Sequence, residues 1–269
     1  MSQLRKFSSL ASTHWRAALS GGLVSLVLLF VTVGSTPTNA QSSLTDANQR
    51  AIEQLIRNYI MNNPEVIVES VQRMGAREQA ANHQKQRQVL ANLREALEND
   101  PGSHVGGNPD GDVTVVEFFD YRCTYCKKFM PNLAELLRKD ANVRVVFKEY
   151  PILGPDSVVA SRAALAARRQ NEDLYVPFHN ALMESRGVFS ERRILDIASE
   201  IGLNADQLRR DMASADIERI ISRNYAHAEA LGIQGTPGFV IGDQVVPGYI
   251  NDEQLASLIG EARKSCLTC

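Results

Sequence analysis

Cysteine and tryptophan are scarce in this chain, which has four cysteines and one tryptophan in 269 residues. Four cysteines are too few to hold a protein of this size together, so a scaffold built on disulfides is excluded. The four cysteines are better explained by a chemical role in a functional site than by a role in stabilising the fold. They stand as two pairs with the same spacing, Cys123 with Cys126 and Cys266 with Cys269.

Basic residues do not outnumber acidic ones, either in the whole chain or after its first forty residues. The chain has 29 Lys and Arg against 31 Asp and Glu, a net charge of −2. Without the three basic residues of the first forty positions, 26 basic residues face 31 acidic ones, a net of −5. This mildly acidic balance argues against nucleic acid and anionic lipid as partners. The sequence also lacks a glycine-rich phosphate loop, a serine nucleophile motif, paired catalytic carboxylates and internal repeats.

Long apolar runs are absent except for one near the start, at residues 17–33. A basic head with Arg5, Lys6 and Arg16 precedes this run, and the small residues of "TPTNAQ" follow it. The pattern predicts a secretory signal over residues 1–40, cut after Ala40. An uncleaved membrane anchor is the alternative, because the run approaches the spanning length of about 20 residues. Either interpretation predicts export to the periplasm.

Residues 41–100 predict a helical stalk. Its first apolar residues recur at helical spacing: Ile52, Leu55, Ile56, Tyr59 and Ile60. "NNPE" ends this helix and starts another. Residues 101–111, rich in glycine and proline, predict a linker. An apolar stripe on a helix that a linker separates from the main domain must be buried against a partner, and copies of the same chain are available. The stalk is therefore predicted to be an arm for homo-oligomerisation. The alternative is that the stalk folds back onto its own domain.

From residue 112 to residue 269 the pattern predicts an α/β domain. "VTVVEFF" and "VRVVFKEYPI" are predicted strands on either side of a helix. Residues 156–230 are helical throughout, and "GFVIGDQVVPGY" predicts a hairpin after them. A last helix closes the domain. The domain therefore has two β portions separated by a helical insertion.

Cys123 and Cys126 directly follow a predicted strand and open a helix. Free backbone N–H groups and the helix dipole stabilise a thiolate at that place. Cys123 is therefore the expected attacking sulfur and Cys126 the resolving one, in exchange through mixed disulfides. The alternative is a zinc site shared with the second pair, but zinc-binding pairs usually lie about 15–20 residues apart. Here 139 residues separate the two pairs, which favours redox chemistry.

Three separated features resemble one known family. The strand, the Cys-x-x-Cys helix and the later "GTPGFVIG" resemble a thioredoxin fold, and the helical block resembles the insertion of DsbA-like oxidoreductases. "VEFFDYRCTYCK" is similar to the active-site segment of that family. "LIRNYIMNNPEVIVESV" is similar to the N-terminal arm of its suppressor-of-copper-sensitivity C subgroup, which includes trimeric disulfide isomerases. The resemblance implies a thioredoxin fold with an inserted helical domain, preceded by a helical stalk.

The resemblance also implies roles for further residues. Pro237 should be cis and face the Cys123 sulfur, leaving the backbone of Thr236 to pair with an extended substrate; an ordinary turn is the alternative. Thr124 and Tyr125, between the two cysteines, are expected to contact substrate. Glu117 should relay a proton beneath the cysteines, or else be a carboxylate at the strand edge without a catalytic part.

The second cysteine pair and the histidines are less informative. Cys266 and Cys269 could form a local disulfide, relay electrons to the first pair, or bind Cu(I), which favours thiolates. No other cofactor is expected. The four remaining candidates show no ligand spacing and are predicted to be surface or core residues: His83, His104, His179 and His227.

These observations predict an exported thiol–disulfide oxidoreductase that acts on cysteine-containing proteins of the periplasm and is recycled by a membrane redox partner. Oligomerisation through the stalk would favour a disulfide isomerase over a monomeric dithiol oxidase. A copper-binding periplasmic protein that uses its cysteine pairs is the rival from another class.

Overall fold

The computed structural model of the protein describes residues 45–266, with the backbone alone for Cys266. The predicted signal at residues 1–40, Cys269 and the side chain of Cys266 lie outside this description. The chain divides after Asn63 into an N-terminal unit and a larger unit that starts at Pro64. Over residues 45–266, none of the helices combines the length and the apolar character needed to cross a membrane.

The N-terminal unit contains helix α1 (Asp46–Asn62). Thr45 caps it, because its hydroxyl accepts a hydrogen bond from the N–H of Asn48. None of the side chains of α1 is buried. Five of its large apolar side chains are 42–71 % exposed: Ile52, Leu55, Ile56, Tyr59 and Met61.

The larger unit holds the remaining described elements. Its helices are α2 (Glu65–Glu98), α3 (Thr124–Lys139), α4 (Pro155–Gln170), α5 (Tyr175–Glu184), α6 (Glu191–Glu200), α7 (Ala205–Met212), α8 (Ala215–Leu231) and α9 (Asp252–Cys266). Its strands are β1 (His104–Gly107), β2 (Val113–Phe119), β3 (Val143–Glu149), β4 (Gly238–Ile241) and β5 (Gln244–Pro247). Helices α4 to α8 lie between β3 and β4, where the sequence predicts the helical insertion.

The five strands form one mixed sheet in the order β1-β3-β2-β4-β5. β2 and β3 are parallel, and the other neighbours are antiparallel. β2 lies at the centre, and all of its residues except Thr114 are buried. Its side chains alternate between two cores, one under α3 and the insertion and one under α2 and α8. This double cover explains why the strand has a nearly continuous apolar sequence.

The second half of α2 belongs to this unit rather than to a detached stalk. Leu90 and Leu97 are buried in the core under α2, beside Val116 and Phe118 of the central strand. Arg94 donates to the Asp243 carboxylate at 2.5 Å. The predicted stalk boundary at residue 100 is thus corrected, because apolar spacing alone does not show which face of a helix meets the same chain.

The predicted linker at residues 101–111 contains strand β1, which pairs with β3. The glycines that suggested flexibility allow close approach instead. A Cβ on Gly107 would lie 2.5 Å from the Val143 carbonyl oxygen, and one on Gly106 would lie 2.9 Å from the Phe147 ring. Gly107 also has a φ of +70°, which favours glycine.

Asp100 anchors the end of α2 to the sheet. Its carboxylate accepts hydrogen bonds from Lys148 Nζ at 2.7 Å, from Ser103 Oγ, from Gly102 N–H and from Arg223. Burial opposes the charge of Asp100, but the bond and the charge of Lys148, together with the bonds from Gly102 and Ser103, outweigh it and lower the pKa of Asp100 to about 2. Lys148 is fully buried, so this pairing is what allows it to remain charged there.

Candidate active site

The turn between β2 and α3 is shaped by Asp120, which is fully buried. Its side chain accepts hydrogen bonds from Ser157 Oγ and Arg122 N–H at 2.7 Å and from Leu153 N–H at 2.9 Å. Its backbone carbonyl accepts from the N–H of Cys123 at 3.0 Å. Asp120 therefore fixes the place where the chain leaves the strand and begins the helix.

Cys123 is the N-cap of α3. Its sulfur accepts from the N–H of Cys126 at 3.4 Å and lies 3.1 Å from the Thr236 carbonyl oxygen. The hydrogen bond with the Cys126 thiol, followed by those with the Thr236 side chain and with the backbone N–H groups of Cys126 and Tyr125, outweighs burial and lowers the pKa of Cys123 to about 6. The thiolate is thus the main form of Cys123 at neutral pH.

Cys126 lies one turn further along α3 and is 1 % exposed. Burial, and then the hydrogen bond to Cys123 and the charge of Glu117, raise the pKa of the Cys126 thiol far above its usual range. Neither cysteine is part of a disulfide in this structure. The pair therefore combines a reactive thiolate at Cys123 with a buried, neutral thiol at Cys126.

Glu117 lies on β2, between Phe147 of β3 and Phe239 of β4 in the register of the sheet. It is 4 % exposed. Burial, and then the charge of Cys123, raise the pKa of Glu117 to about 8. Glu117 is also among the groups that raise the pKa of Cys126. The carboxyl is thus coupled electrically to both sulfurs, and lies in the core rather than at an exposed strand edge.

The loop before β4 faces the first cysteine. The Thr236–Pro237 peptide bond is cis, as expected. The Pro237 carbonyl oxygen accepts from Gly248 N–H at 2.9 Å, which ties the loop to the end of β5. The Thr236 carbonyl oxygen points to the Cys123 sulfur. Sequence positions more than a hundred residues apart therefore meet at one sulfur.

Thr124 and Tyr125 are exposed on the first turn of α3. The Tyr125 ring lies 6.1 Å from the ring of Tyr249, which follows β5. Sequence reasoning missed Tyr249, and it also missed Asp120. An acid directly after a strand and three residues before a cysteine was a usable signal for Asp120, whereas Tyr249 had none.

None of the four described histidines joins this site, and Cys269 and the side chain of Cys266 lie outside the described residues. His104, His179 and His227 are buried and His83 is exposed. Over residues 45–266, no cluster of three or more His, Cys, Asp or Glu could hold a metal ion. Helix α9 runs to Cys266.

Residues 114–260 match the family model of the DSBA-like thioredoxin domain, which is more than half of the chain. The chain belongs to the DsbA-like thioredoxin family. Residues 49–81 also match the model of the N-terminal domain of the copper resistance protein ScsC. The predicted fold and the predicted subgroup are thereby confirmed.

Two solved structures extend this comparison of the DsbA-like chain. A thioredoxin-like oxidoreductase from Silicibacter pomeroyi is 48 % identical, with a TM-score of 0.61, and the match covers 64 % of this chain and 98 % of the other. Proteus mirabilis ScsC in a transitional conformation is 29 % identical with a TM-score of 0.61. That match covers 83 % of this chain and 98 % of the other, so it includes part of the region before the oxidoreductase domain.

Curated proteins also match part of this chain. The probable disulfide bond formation protein D of Bacillus cereus is 28 % identical over 155 residues, covering 53 % of this chain and 72 % of that protein. The Na(+)/H(+) antiporter NhaA 1 of Salinispora arenicola is 30 % identical over 161 residues. The match covers 59 % of this chain and about a quarter (24 %) of the antiporter.

Proposed function

We propose that the protein is a periplasmic thiol–disulfide oxidoreductase whose substrates are cysteine-containing proteins. The observation that carries the proposal is the Cys123 sulfur, which caps a helix, has a pKa of about 6 and faces the Thr236 carbonyl oxygen. A thiolate of this kind is abundant at neutral pH and is a good leaving group. Membership of the DsbA-like family and the Silicibacter oxidoreductase support the same activity.

The exchange follows from the two sulfurs. The Cys123 thiolate attacks one sulfur of a substrate disulfide, the substrate S–S bond breaks, and a substrate thiolate leaves as the mixed disulfide forms. Cys126, once deprotonated, can attack the Cys123 sulfur, which releases the reduced substrate and oxidises the protein by two electrons. In isomerisation another substrate thiolate attacks the mixed disulfide instead, so Cys123 is regenerated without net electron transfer.

In this proposal the backbone of Thr236 pairs with the extended substrate segment beside its cysteine. Pro237 holds that backbone toward Cys123, and Thr124 and Tyr125 line the exposed first turn of α3 nearby. An added strand gains its affinity from main-chain hydrogen bonds, which suits substrates of varied sequence.

Glu117 is proposed to take the proton from Cys126. The neutral thiol of Cys126 has a strongly raised pKa, so its attack needs a base, and Glu117 is the buried acid coupled to it. Glu117→Gln is expected to slow decay of the mixed disulfide by about 100-fold, within the usual range for a lost general base. Single-turnover quenching with acid measures that decay.

The pH profile separates this role from a structural one. In the parent, decay of the mixed disulfide should accelerate as Glu117 ionises. The pKa of Glu117 is about 8 beside the Cys123 thiolate, and the inflection should lie below that value because Cys123 carries no charge in the mixed disulfide. Glu117→Gln should lose that inflection while the initial attack by Cys123, followed in the same reaction, changes little. An unchanged inflection in Glu117→Gln would show that Glu117 relays no proton.

We infer isomerase activity from the N-terminal region. Helix α1 exposes Leu55, Ile56 and Tyr59 on one face, and a helix with an apolar stripe is stable in water when a partner covers it. Copies of the same chain are the proposed partner, in a homo-oligomer formed through residues 44–100 with its main contacts on α1. Several active sites around one cleft suit binding of misfolded proteins. A membrane oxidant would reach the cysteines of such an assembly poorly. A different membrane redox partner would then keep Cys123 and Cys126 reduced.

Substitution on α1 tests the assembly. Leu55→Asp with Tyr59→Asp should convert an oligomer to a monomer and lower refolding of scrambled ribonuclease, because charges replace the apolar contact. Gln54→Asp with Asn58→Asp, which has the same spacing on the same exposed helix, is the matched control. Light scattering measures solution mass, and insulin reduction reports the active site separately. A monomeric parent, or equal masses for both variants, would favour a dithiol oxidase.

Copper binding is the second candidate function. The N-terminal match is to a copper resistance protein, and thiolates favour Cu(I). In this candidate Cys266 and Cys269 bind the ion, and the redox pair is not needed for it. Bound copper that is lost in Cys266→Ser with Cys269→Ser, but kept in Cys123→Ala, would support this function.

A further inference from the structure

Four cationic side chains lie on the segments next to the first cysteine or in contact with them. Arg122 precedes it, Lys127 and Lys128 lie on the next turn of α3, and Arg186 lies in the loop after α5. We refer to Arg122, Lys127, Lys128 and Arg186 as the cation collar. Lys127 is half-buried and the other three are exposed.

Contacts with uncharged groups hold the two lysines. Lys127 Nζ donates to the Ser185 carbonyl oxygen at 2.5 Å and lies 5.5 Å from the centre of the Phe189 ring. Burial and then the nearby charge of Arg186 lower the pKa of Lys127, which places Arg186 within electrostatic reach of it. Lys128 Nζ lies 4.7 Å from the centre of the Tyr249 ring. These contacts orient the charges without neutralising them.

Acidic groups near the collar leave most of its charge uncompensated. Asp120 is fully buried, and its charge raises the pKa of Lys127, so it offsets part of the charge of that lysine. Asp156 lies 3.9 Å from Arg122 and compensates only that arginine. Asp252 and Glu253 line a depression with Tyr249. Among the ion pairs of residues 45–266, none involves Lys127, Lys128 or Arg186.

The local charge is opposite to that of the whole molecule. The chain carries a net charge of −2, yet the surface around its nucleophile is positive. Apolar side chains are also exposed in the same segments: Tyr125 is 59 %, Leu153 44 % and Val188 67 % exposed. A partner that fits both features is an extended peptide with acidic and apolar side chains on either side of its cysteine.

We propose that the cation collar selects substrate segments that carry acidic residues next to the reacting cysteine. This proposal depends on the exchange reaction proposed above. The charges are expected to affect the association of the protein with its substrate, which comes before the exchange. Uncompensated charges around a site raise the rate of association with an oppositely charged partner and add less to the affinity once bound. The effect should therefore appear in the second-order rate of mixed-disulfide formation and weaken with salt.

Two short cyclic peptides test this selection. Each contains one disulfide, and they differ only in having glutamate or lysine at the positions that flank the cysteines. At ~20 mM ionic strength the reduced protein should reduce the acidic peptide about tenfold faster than the basic one. At about 0.5 M salt, where exposed charges are screened, the ratio should fall below about twofold.

Charge reversal locates the effect on the protein. Lys128→Glu with Arg186→Glu should bring the ratio of the two rates close to one or invert it. Lys264→Glu is the control, because Lys264 is exposed and lies far from the collar. Its neighbour Arg263 binds Asp112 and Asp140, which directly precede β2 and β3 at the opposite end of the sheet. The control should keep at least about half of the parent's ratio. Equal rates for the two peptides, or equal losses in the collar variant and the control, would overturn the proposal.

A neutral disulfide separates this result from failure of the proposed function. Hydroxyethyl disulfide carries no charge, so the parent and Lys264→Glu should reduce it at similar rates. The rate of the collar variant with this disulfide corrects its two peptide rates for any change in the Cys123 thiolate, since a reversed charge nearby disfavours the thiolate. If the parent does not reduce this disulfide, the oxidoreductase proposal fails together with the selection. If the parent reduces it but does not distinguish the peptides, only the selection fails.

Discussion

Cys123→Ala is expected to abolish insulin reduction and the refolding of scrambled ribonuclease. Cys123 provides the only thiolate at the helix N-terminus of the described site, and Cys126 cannot replace it because that thiol is 1 % exposed with a strongly raised pKa. The loss should reach the background rate of the assay. Turbidity of precipitating insulin and recovery of ribonuclease activity measure it.

Cys126→Ala makes the matched comparison. This variant keeps the attacking thiolate but has no resolving sulfur, so mixed disulfides with substrate proteins should accumulate and be visible on non-reducing gels. Alkylation of Cys123 in this variant should follow an inflection below the usual thiol pKa of 9.0, shifted upward from about 6 because the hydrogen bond from Cys126 is gone. Activity that persists in Cys123→Ala would refute the site and would point to the second cysteine pair.

The active-site chemistry was predictable because it depends on local order in the sequence. A strand followed directly by Cys-x-x-Cys and a helical stripe determines where the first sulfur lies relative to the helix N-terminus. The meeting of Cys123 with Thr236 was available only through family resemblance, since 113 positions separate them. Physical reasoning from spacing alone cannot bring such distant segments together.

The misassigned linker has a different cause. Glycine and proline are enriched in flexible segments and also wherever the backbone must approach another strand closely. Gly106 and Gly107 serve the second purpose, and only the position of Phe147 and Val143 on the neighbouring strand shows it. Similarly, Leu90 and Leu97 are apolar at helical spacing whether they meet another copy or the same chain.

Sequence analysis also missed a second buried acid, which is expected to make the stability of the protein depend on pH. Glu149 ends β3 and is 1 % exposed. Its Oε1 accepts hydrogen bonds from the hydroxyls of Tyr121 and Tyr175 at 3.0 and 3.1 Å. Ser161 is near enough to lower its pKa, but Oε2 and Ser161 Oγ form no well-aligned hydrogen bond. Burial dominates and raises the pKa of Glu149 to about 8, so the carboxyl is mostly protonated at neutral pH.

The sign of the effect follows from proton binding. The pKa of Glu149 is about 8 in the folded state against 4.5 for an ordinary glutamate. Between these values the folded state holds a proton that the unfolded state has lost, so the free energy of unfolding falls as pH rises from 4.5 to about 8. The stabilisation is complete below pH 4.5, and above about 8 this group adds no further slope. Glu117 contributes a pH dependence of the same sign over the same pH range, because its pKa is also raised to about 8.

Glu149→Gln is expected to remove the Glu149 part of this slope. Glutamine keeps the shape and both tyrosine hydrogen bonds, and its amide can donate to Ser161 Oγ. The variant should match the parent near pH 4.5 and exceed it by several kcal/mol near pH 8.5, since each unit of pKa shift corresponds to about 1.4 kcal/mol. Urea unfolding at both pH values, at one protein concentration and under reducing conditions, measures the difference.

Two further variants make the result specific. Glu184→Gln changes an exposed carboxyl on α5 and should leave the slope of the parent unchanged. The double variant Glu117→Gln with Glu149→Gln should show the smallest change in the free energy of unfolding between the two pH values. The lowered pKa of Cys123 contributes a slope of opposite sign, because its thiol deprotonates earlier in the folded state, but that contribution cancels when parent and Glu149→Gln are compared. Parallel pH curves for these two proteins would mean that Glu149 is already ionised when folded, and that the polar interior around Tyr121 and Tyr175 solvates a charge.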